Sequence, residues 1–156
     1  MSDKHSADDP IILPPRIDDA AALAALHRRC MGNADGWTDA GLARLLAADA
    51  ARGFYAGEAQ APLAFILAFV AADEAEILAI CVATEQRRQG LAGKLLRHLM
   101  RELSRKGIDQ MYLDVRASNF AARELYGRAG FVETGRRKGY YQAAEDAVVM
   151  GRRLEP

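Results

Sequence analysis

The chain has 156 residues, 51% apolar and 27% charged, with 21 Lys/Arg balanced by 21 Asp/Glu. That size and composition predict one globular domain with a sizeable core, and the zero net charge argues against direct binding of nucleic acid. The most apolar run, Pro62 to Ala72, is far shorter than the roughly 20 residues of a spanning helix, so it reads as a buried strand and no membrane association is expected.

Residues 1–10 are polar and lack the apolar stretch of a signal peptide, which predicts a disordered tail on a cytoplasmic protein, followed by a single domain over 11–156. Ile11 to Leu13 form a short strand stopped by Pro14-Pro15, and Asp18 or Asp19 caps a helix through about Cys30. A second helix starts after Trp37 with Thr38 or Asp39 as cap and ends at Arg52-Gly53. Phe54 to Gly57 and Leu63 to Ala71 then make a hairpin, and a turn at Asp73-Glu74 leads into a strand over Ile77 to Ala83. Leu91, Leu95, Leu96, Leu99, Met100 and Leu103 form one apolar helical stripe closed by Gly107. In the following strand Met111, Leu113 and Val115 face one side, and Tyr112, Asp114 and Arg116 the other. Ser118-Asn119 caps a helix from Phe120 to Ala129, and Phe131-Val132 and Ala147 to Met150 close the chain as strands. Strands and helices in this order predict a mixed α/β sandwich on a largely antiparallel sheet.

The segment between the strand at Ile77 and the helix at Leu91 carries the chemistry. An apolar strand runs into Arg87-Arg88-Gln89-Gly90-Leu91-Ala92-Gly93-Lys94, a basic glycine-containing turn that opens directly into a helix. The first N–H groups of a helix lack intrahelical partners and carry partial positive charge, so an anion is stabilised there. Small residues at Gly90, Ala92 and Gly93 let the backbone approach a phosphate, and Arg87, Arg88 and Lys94 add formal charge. Charge along the chain agrees: residues 1–86 hold 6 basic and 13 acidic side chains, net −7, while 87–156 hold 15 and 8, net +7. Neither the P-loop nor the dinucleotide fingerprint fits this spacing. Cys30 and Cys81, far apart and without C-x-x-C, read as buried reduced thiols. His5, His27 and His98 form no ligand-spaced cluster, so no metal is expected.

Arg87-x-x-Gly90-x-Ala92 resembles the R/Q-x-x-G-x-G/A signature of the GCN5-related N-acetyltransferases (GNAT). Tyr112-Leu-Asp-Val-Arg-Ala-Ser-Asn119, Glu124-Leu-Tyr126, Ala129-Gly-Phe131, Gly135 to Tyr141 and Glu145-Asp-Ala147 follow in register and are similar to the RimI-type branch of that family. The resemblance runs from about Glu76 to the C-terminus and implies the GNAT fold: about seven strands, mostly antiparallel, flanked by about four helices. It also implies a β-bulge in the fourth strand and a splayed gap between strands four and five.

By the same resemblance the chain is an acyltransferase that uses acetyl-CoA and releases coenzyme A. The main chain of Ile80, Cys81 and Val82 would pair with the pantetheine arm, residues Arg87 to Lys94 would hold the pyrophosphate, and Asn119 would touch the cofactor. The acceptor implied is a protein N-terminus, in RimI-type enzymes the alanine of a ribosomal protein, with a small-molecule amine or amino acid as the alternative. A non-catalytic acyl-CoA-binding module is a further alternative, and the expected state is a monomer or weak dimer. Tyr126 matches the family's general acid. Asp114 stands where family members carry glutamate, one methylene longer, and is the candidate base. Glu76 or an ordered water on strand four could serve instead, or Asp114 could cap backbone or pair with Arg116. Trp37, Tyr140 and Tyr141 fall where the family builds its acceptor groove. Cys81 as an acyl-carrying nucleophile is disfavoured because no histidine stands at an activating position, which leaves direct transfer.

Overall fold

A computed structural model describes residues 9 to 155 of the chain. Residues 1–8 of the expected tail lie outside the described residues. Asp9 pairs with Lys94 at 2.7 Å, and Asp9 and Pro10 border a cleft lined also by Lys94, Arg97 and Arg101.

The elements run β1 (Ile12–Leu13), α1 (Ala20–Met31), α2 (Asp39–Ala47), β2 (Ala51–Glu58), β3 (Ala61–Ala71), β4 (Glu74–Val82), α3 (Leu91–Arg105), β5 (Gln110–Arg116), α4 (Phe120–Arg128), β6 (Val132–Arg137) and β7 (Ala147–Arg153). They build one seven-stranded sheet in the order β1-β2-β3-β4-β5-β7-β6. Only β4 and β5 are parallel, as a strand–helix–strand crossover through α3 requires; all other pairs are antiparallel.

Two cores sandwich the sheet. The α3 stripe, with Leu95, Leu96, Leu99 and Leu103 at 0% exposure, packs on Ile66, Ala68, Ile77, Met111, Leu113 and Val148. On the other face, Leu23 and Leu26 of α1 and Leu42 of α2 pack on Tyr55, Phe65, Leu67 and Cys81. Because β3 feeds both cores, its apolar run is continuous instead of alternating. Each fully buried leucine contributes about 1.5–3 kcal/mol, so α3 alone anchors the crossover on which the basic turn sits.

Some local readings change. Asp19 does not cap α1; its carboxylate accepts from the Arg16 N–H at 2.7 Å and closes a 3-10 turn that precedes the helix. Thr38 does cap α2, accepting from Gly41 N–H at 3.0 Å. That helix ends at Ala47, not at Arg52-Gly53, which lie in β2. A Cβ on Gly53 would come within 2.5 Å of the Ile66 carbonyl, so the glycine serves close strand approach and not helix termination. β4 starts three residues before Ile77, and β6 extends to Arg137 with every residue exposed, an edge strand with no apolar alternation to announce it.

Candidate functional site

Gly90 caps α3 with φ +79°, and Arg88 also has a left-handed φ of +65°. Two left-handed residues in three curl the backbone so that successive N–H groups converge, an anion-binding concavity. The first helical bond is Lys94 N–H to the Gly90 carbonyl at 3.0 Å. The N–H groups of Leu91, Ala92 and Gly93 therefore have no helix partner, and no side chain caps them. A Cβ at Gly90 would meet no atom within 4 Å, so conformation and open space, not crowding, call for glycine. Arg87 and Arg88 are exposed beside this concavity, and Arg87 Nε donates to the Val82 carbonyl at 3.3 Å. Lys94 is held by Asp9. The donor set fits a pyrophosphate.

The turn opens onto a gap in the sheet. Pairing between β4 and β5 runs from Glu74↔Gln110 to Ile77↔Leu113 and stops. At that point β4 bulges: Ile77 faces Ala68 and Ala79 faces Leu67, leaving Leu78 as the extra residue. Beyond it β4 diverges while β5 stays paired with β7 through Arg116. The antiparallel ladder with β3 alternates, and Ala83 N–H bonds the Leu63 carbonyl at 2.8 Å. By that alternation Cys81 directs its main-chain groups at Phe65, whereas those of Ile80 and Val82 point into the gap. A cavity of about 360 Å³ occupies it, lined by Ile80, Asp114, Asn119, Tyr126 and Tyr141 among others.

Tyr126 reaches this cavity from α4 at 8% exposure, its ring edge-on to Phe131 at 5.8 Å, and its hydroxyl makes no hydrogen bond among the described residues. Burial, with smaller effects of Cys81 and Tyr141, raises its pKa far above that of an ordinary tyrosine, so it holds its proton throughout the neutral range. Asp114 lines the cavity from β5, its side chain 17% exposed and paired with Arg137 Nε of β6 at 3.5 Å. Arg116 is not its partner. That guanidinium pairs with Glu145 at 3.3 Å and lies over the Tyr141 ring at 4.3 Å. Glu145 also accepts from the Ser118 N–H at 2.9 Å and from the Ser118 hydroxyl, which lowers its pKa and ties the loop after β5 to the segment before β7. Glu76 pairs in register with Tyr112 and lines a separate cavity with Asp114 and Arg137.

Asn119 caps α4 through Oδ1, accepting from Ala122 N–H at 3.1 Å, and its side of the helix borders the cavity. Of the aromatic candidates, Tyr141 lines the cavity. Tyr140 is 55% exposed, edge-on to Tyr141. Trp37 instead stacks on His27, centroids 4.0 Å apart and 3° from parallel, and donates its backbone N–H to His27 Nδ1 at 3.0 Å. His27 is 4% exposed and borders the cavity; burial first, then Arg28, lowers its pKa, so the ring is neutral with Nδ1 as acceptor. The sequence assigns no role to His27, which sits in no motif, or to Arg137, which lies within the Gly135 to Tyr141 match; only the fold brings α1 and β6 to this place. Among the described residues, no group of three or more His, Cys, Asp or Glu stands ready to hold a metal ion, and no helix is long and apolar enough to cross a membrane.

The sequence profile described as the Acetyltransferase (GNAT) family matches residues 20–131. The [Ribosomal protein bS18]-alanine N-acetyltransferase of Escherichia coli K12 is 43% identical over 90 residues, which are 56% of this chain and 61% of that protein. An N-alpha-acetyltransferase of Saccharolobus solfataricus is 38% identical over 79 residues, 50% of this chain and 47% of the other. The crystal structure of the ribosomal-protein-S18-alanine N-acetyltransferase from E. coli superposes with a TM-score of 0.85 at 31% identity, covering 94% of each chain.

Proposed function

We propose that this chain, which belongs to the acetyltransferase (GNAT) family, transfers an acetyl group from acetyl-CoA to the α-amino group of a protein N-terminus. This takes residues 11–156 as one N-acetyltransferase domain. The observation that carries the reading is the continuity of two features: an anion concavity at Gly90 opens directly onto the gap between β4 and β5, where Tyr126 and Asp114 face one cavity. The likeness to enzymes named for N-terminal and ribosomal-protein alanine acetylation supports the choice of acceptor.

Acetyl-CoA bound here supplies an activated acetyl thioester. The N–H groups of Leu91, Ala92 and Gly93, with Arg87 and Arg88, hold the pyrophosphate, and the gap-facing main chain of Ile80 and Val82 aligns the pantetheine arm with Asn119 nearby. Tyr126, kept protonated by burial, donates its proton to the leaving thiolate sulfur. Asp114 takes the proton of the acceptor amine, directly or through one water, and Arg137 pairs with its carboxylate. An α-amine needs little help, since its reference pKa is about 7.7–8.0 against about 10.4 for lysine. Tyr141 forms a wall of the acceptor groove, with Tyr140 at its rim and Trp37 buttressing the opposite side through His27.

Thiol release tests the reading. Acetyl-CoA mixed with a peptide beginning in alanine should liberate coenzyme A. Release with small amines but not the peptide would assign the other acceptor class, and release with neither would leave only a binding module.

A further inference from the structure

The two cysteines, remote in sequence, meet where α1 lies on β4. Cys30 is half-buried in the last turn of α1, and Cys81 is buried on β4 in the core beneath that helix. Cys30 Sγ donates to the carbonyl of Val82, the residue after Cys81, at 3.5 Å, and Cys30 packs against the cluster between α1 and β4 in which Cys81 is buried. Arg87 donates to the same Val82 carbonyl at 3.3 Å, which sets a permanent positive charge beside the sulfur pair.

Thiols that merely pack in a core resist ionisation. Here the pair divides. The neighbouring Cys81 thiol and the charge of Arg87 outweigh burial at Cys30 and bring its pKa down to about 6, while the neighbouring Cys30 and burial push Cys81 far above the ordinary thiol range. The half-buried sulfur of Cys30 therefore ionises far more readily than its neighbour, giving up the proton it shares with the Val82 carbonyl, while Cys81 keeps its own.

We propose that Cys30 and Cys81 form a dithiol modification site at which Cys30 attacks a hydroperoxide and Cys81 resolves the product into a disulfide between α1 and β4. In the first step an S–O bond forms at Cys30 as the peroxide O–O bond breaks, and the departing hydroxide takes up a proton to leave as water. In the second the Cys81 sulfur attacks that of Cys30. An S–S bond forms, the S–O bond breaks, and the hydroxyl leaves with the Cys81 proton as a second water. Two thiols lose two electrons in all, and one peroxide is reduced to two waters. The closed bond clamps α1 to β4 beside Val82.

Hydrogen peroxide treatment of the full chain, followed by non-reducing peptide mapping, reads the product. The expected result is one intramolecular link between the peptides holding Cys30 and Cys81, loss of both free thiols, and reversal by dithiothreitol. Iodoacetamide should label Cys30 at least about tenfold faster than Cys81 at neutral pH, with the rate rising through a midpoint near pH 6. In Cys81→Ala that midpoint should move up toward about 8.5, and peroxide should leave Cys30 as an unlinked sulfur acid. Two reduced cysteines after excess peroxide, or Cys30 oxidised without a link in the parent protein, would overturn the proposal. So would a Cys30 labelling midpoint in the parent no lower than in Cys81→Ala.

Discussion

The turn at Gly90 and the gap between β4 and β5 are adjacent, yet they are made of different material. The turn is backbone: two left-handed residues and a helix start within one short stretch of chain. The gap is built from side chains that α1, β4, β5, α4 and the segment before β7 deliver to one cavity, and β6 pairs with one of them through Arg137. A backbone site tolerates side-chain change as long as φ and ψ survive; a side-chain site fails with the loss of one atom. Substitutions in the turn should therefore change affinity, and substitutions in the gap should change turnover.

The largest effect is expected at Tyr126. Tyr126→Phe keeps the ring and its contact with Phe131 and removes only the proton, so kcat should fall on the order of 10² to 10⁴ with coenzyme A affinity within about twofold of the parent. Steady-state kinetics alongside calorimetry separates the two quantities; near-normal turnover would assign Tyr126 to the core.

Gly90→Val should do the reverse. A β-branched residue at φ +79° is strained and would distort the turn that presents the helix N–H groups, so coenzyme A affinity should drop by about 10²-fold or more. Calorimetry on protein shown to be folded by circular dichroism measures this, and unchanged affinity would remove the turn from the site.

Asp114 offers a finer division. Asp114→Asn should lower kcat by roughly 10 to 10³, Asp114→Glu should hold or raise it, and the Asn deficit should shrink as pH rises from about 7 to 9 and the α-amine neutralises unaided. Rate profiles over that range check the trend. If both variants stay within a few-fold of the parent, Asp114 serves only its ion pair with Arg137.

The smallest effect is expected at His27. Its folded pKa lies below the ordinary 6.5, because burial and Arg28 disfavour the charged ring. Its stabilisation is therefore complete above about pH 6.5 and lost as pH falls through the lowered value. His27→Ala should cost about 1–3 kcal/mol near pH 7 through the lost stack and hydrogen bond, and the penalty should narrow at acid pH. Denaturant melts followed by the fluorescence of Trp37, the chain's single tryptophan, read both.

The contrast between turn and gap also explains what the sequence made legible. Local signals survived: the α3 stripe, the Thr38 and Asn119 caps, the alternation of β5 and the basic turn all depend on neighbours a few residues away. Gly53 misled because one residue type serves both helix ends and close strand contact, and only the position of β3 decides between them. β6 was cut short because an exposed edge strand needs no apolar pattern. The Asp114–Arg137 pair, the His27–Trp37 stack and the meeting of Cys30 with Cys81 were illegible because each joins elements that only the folded sheet brings together.

The most direct test is to map where acetyl lands on one peptide that carries both an N-terminal alanine α-amine and an internal lysine, after incubation with acetyl-CoA and the full chain. Fragmentation by mass spectrometry should find acetyl on the α-amine in the parent and a near-complete loss of it in Tyr126→Phe. Acetyl on the lysine alone, or the same yield from both proteins, would contradict N-terminal transfer in the β4–β5 gap.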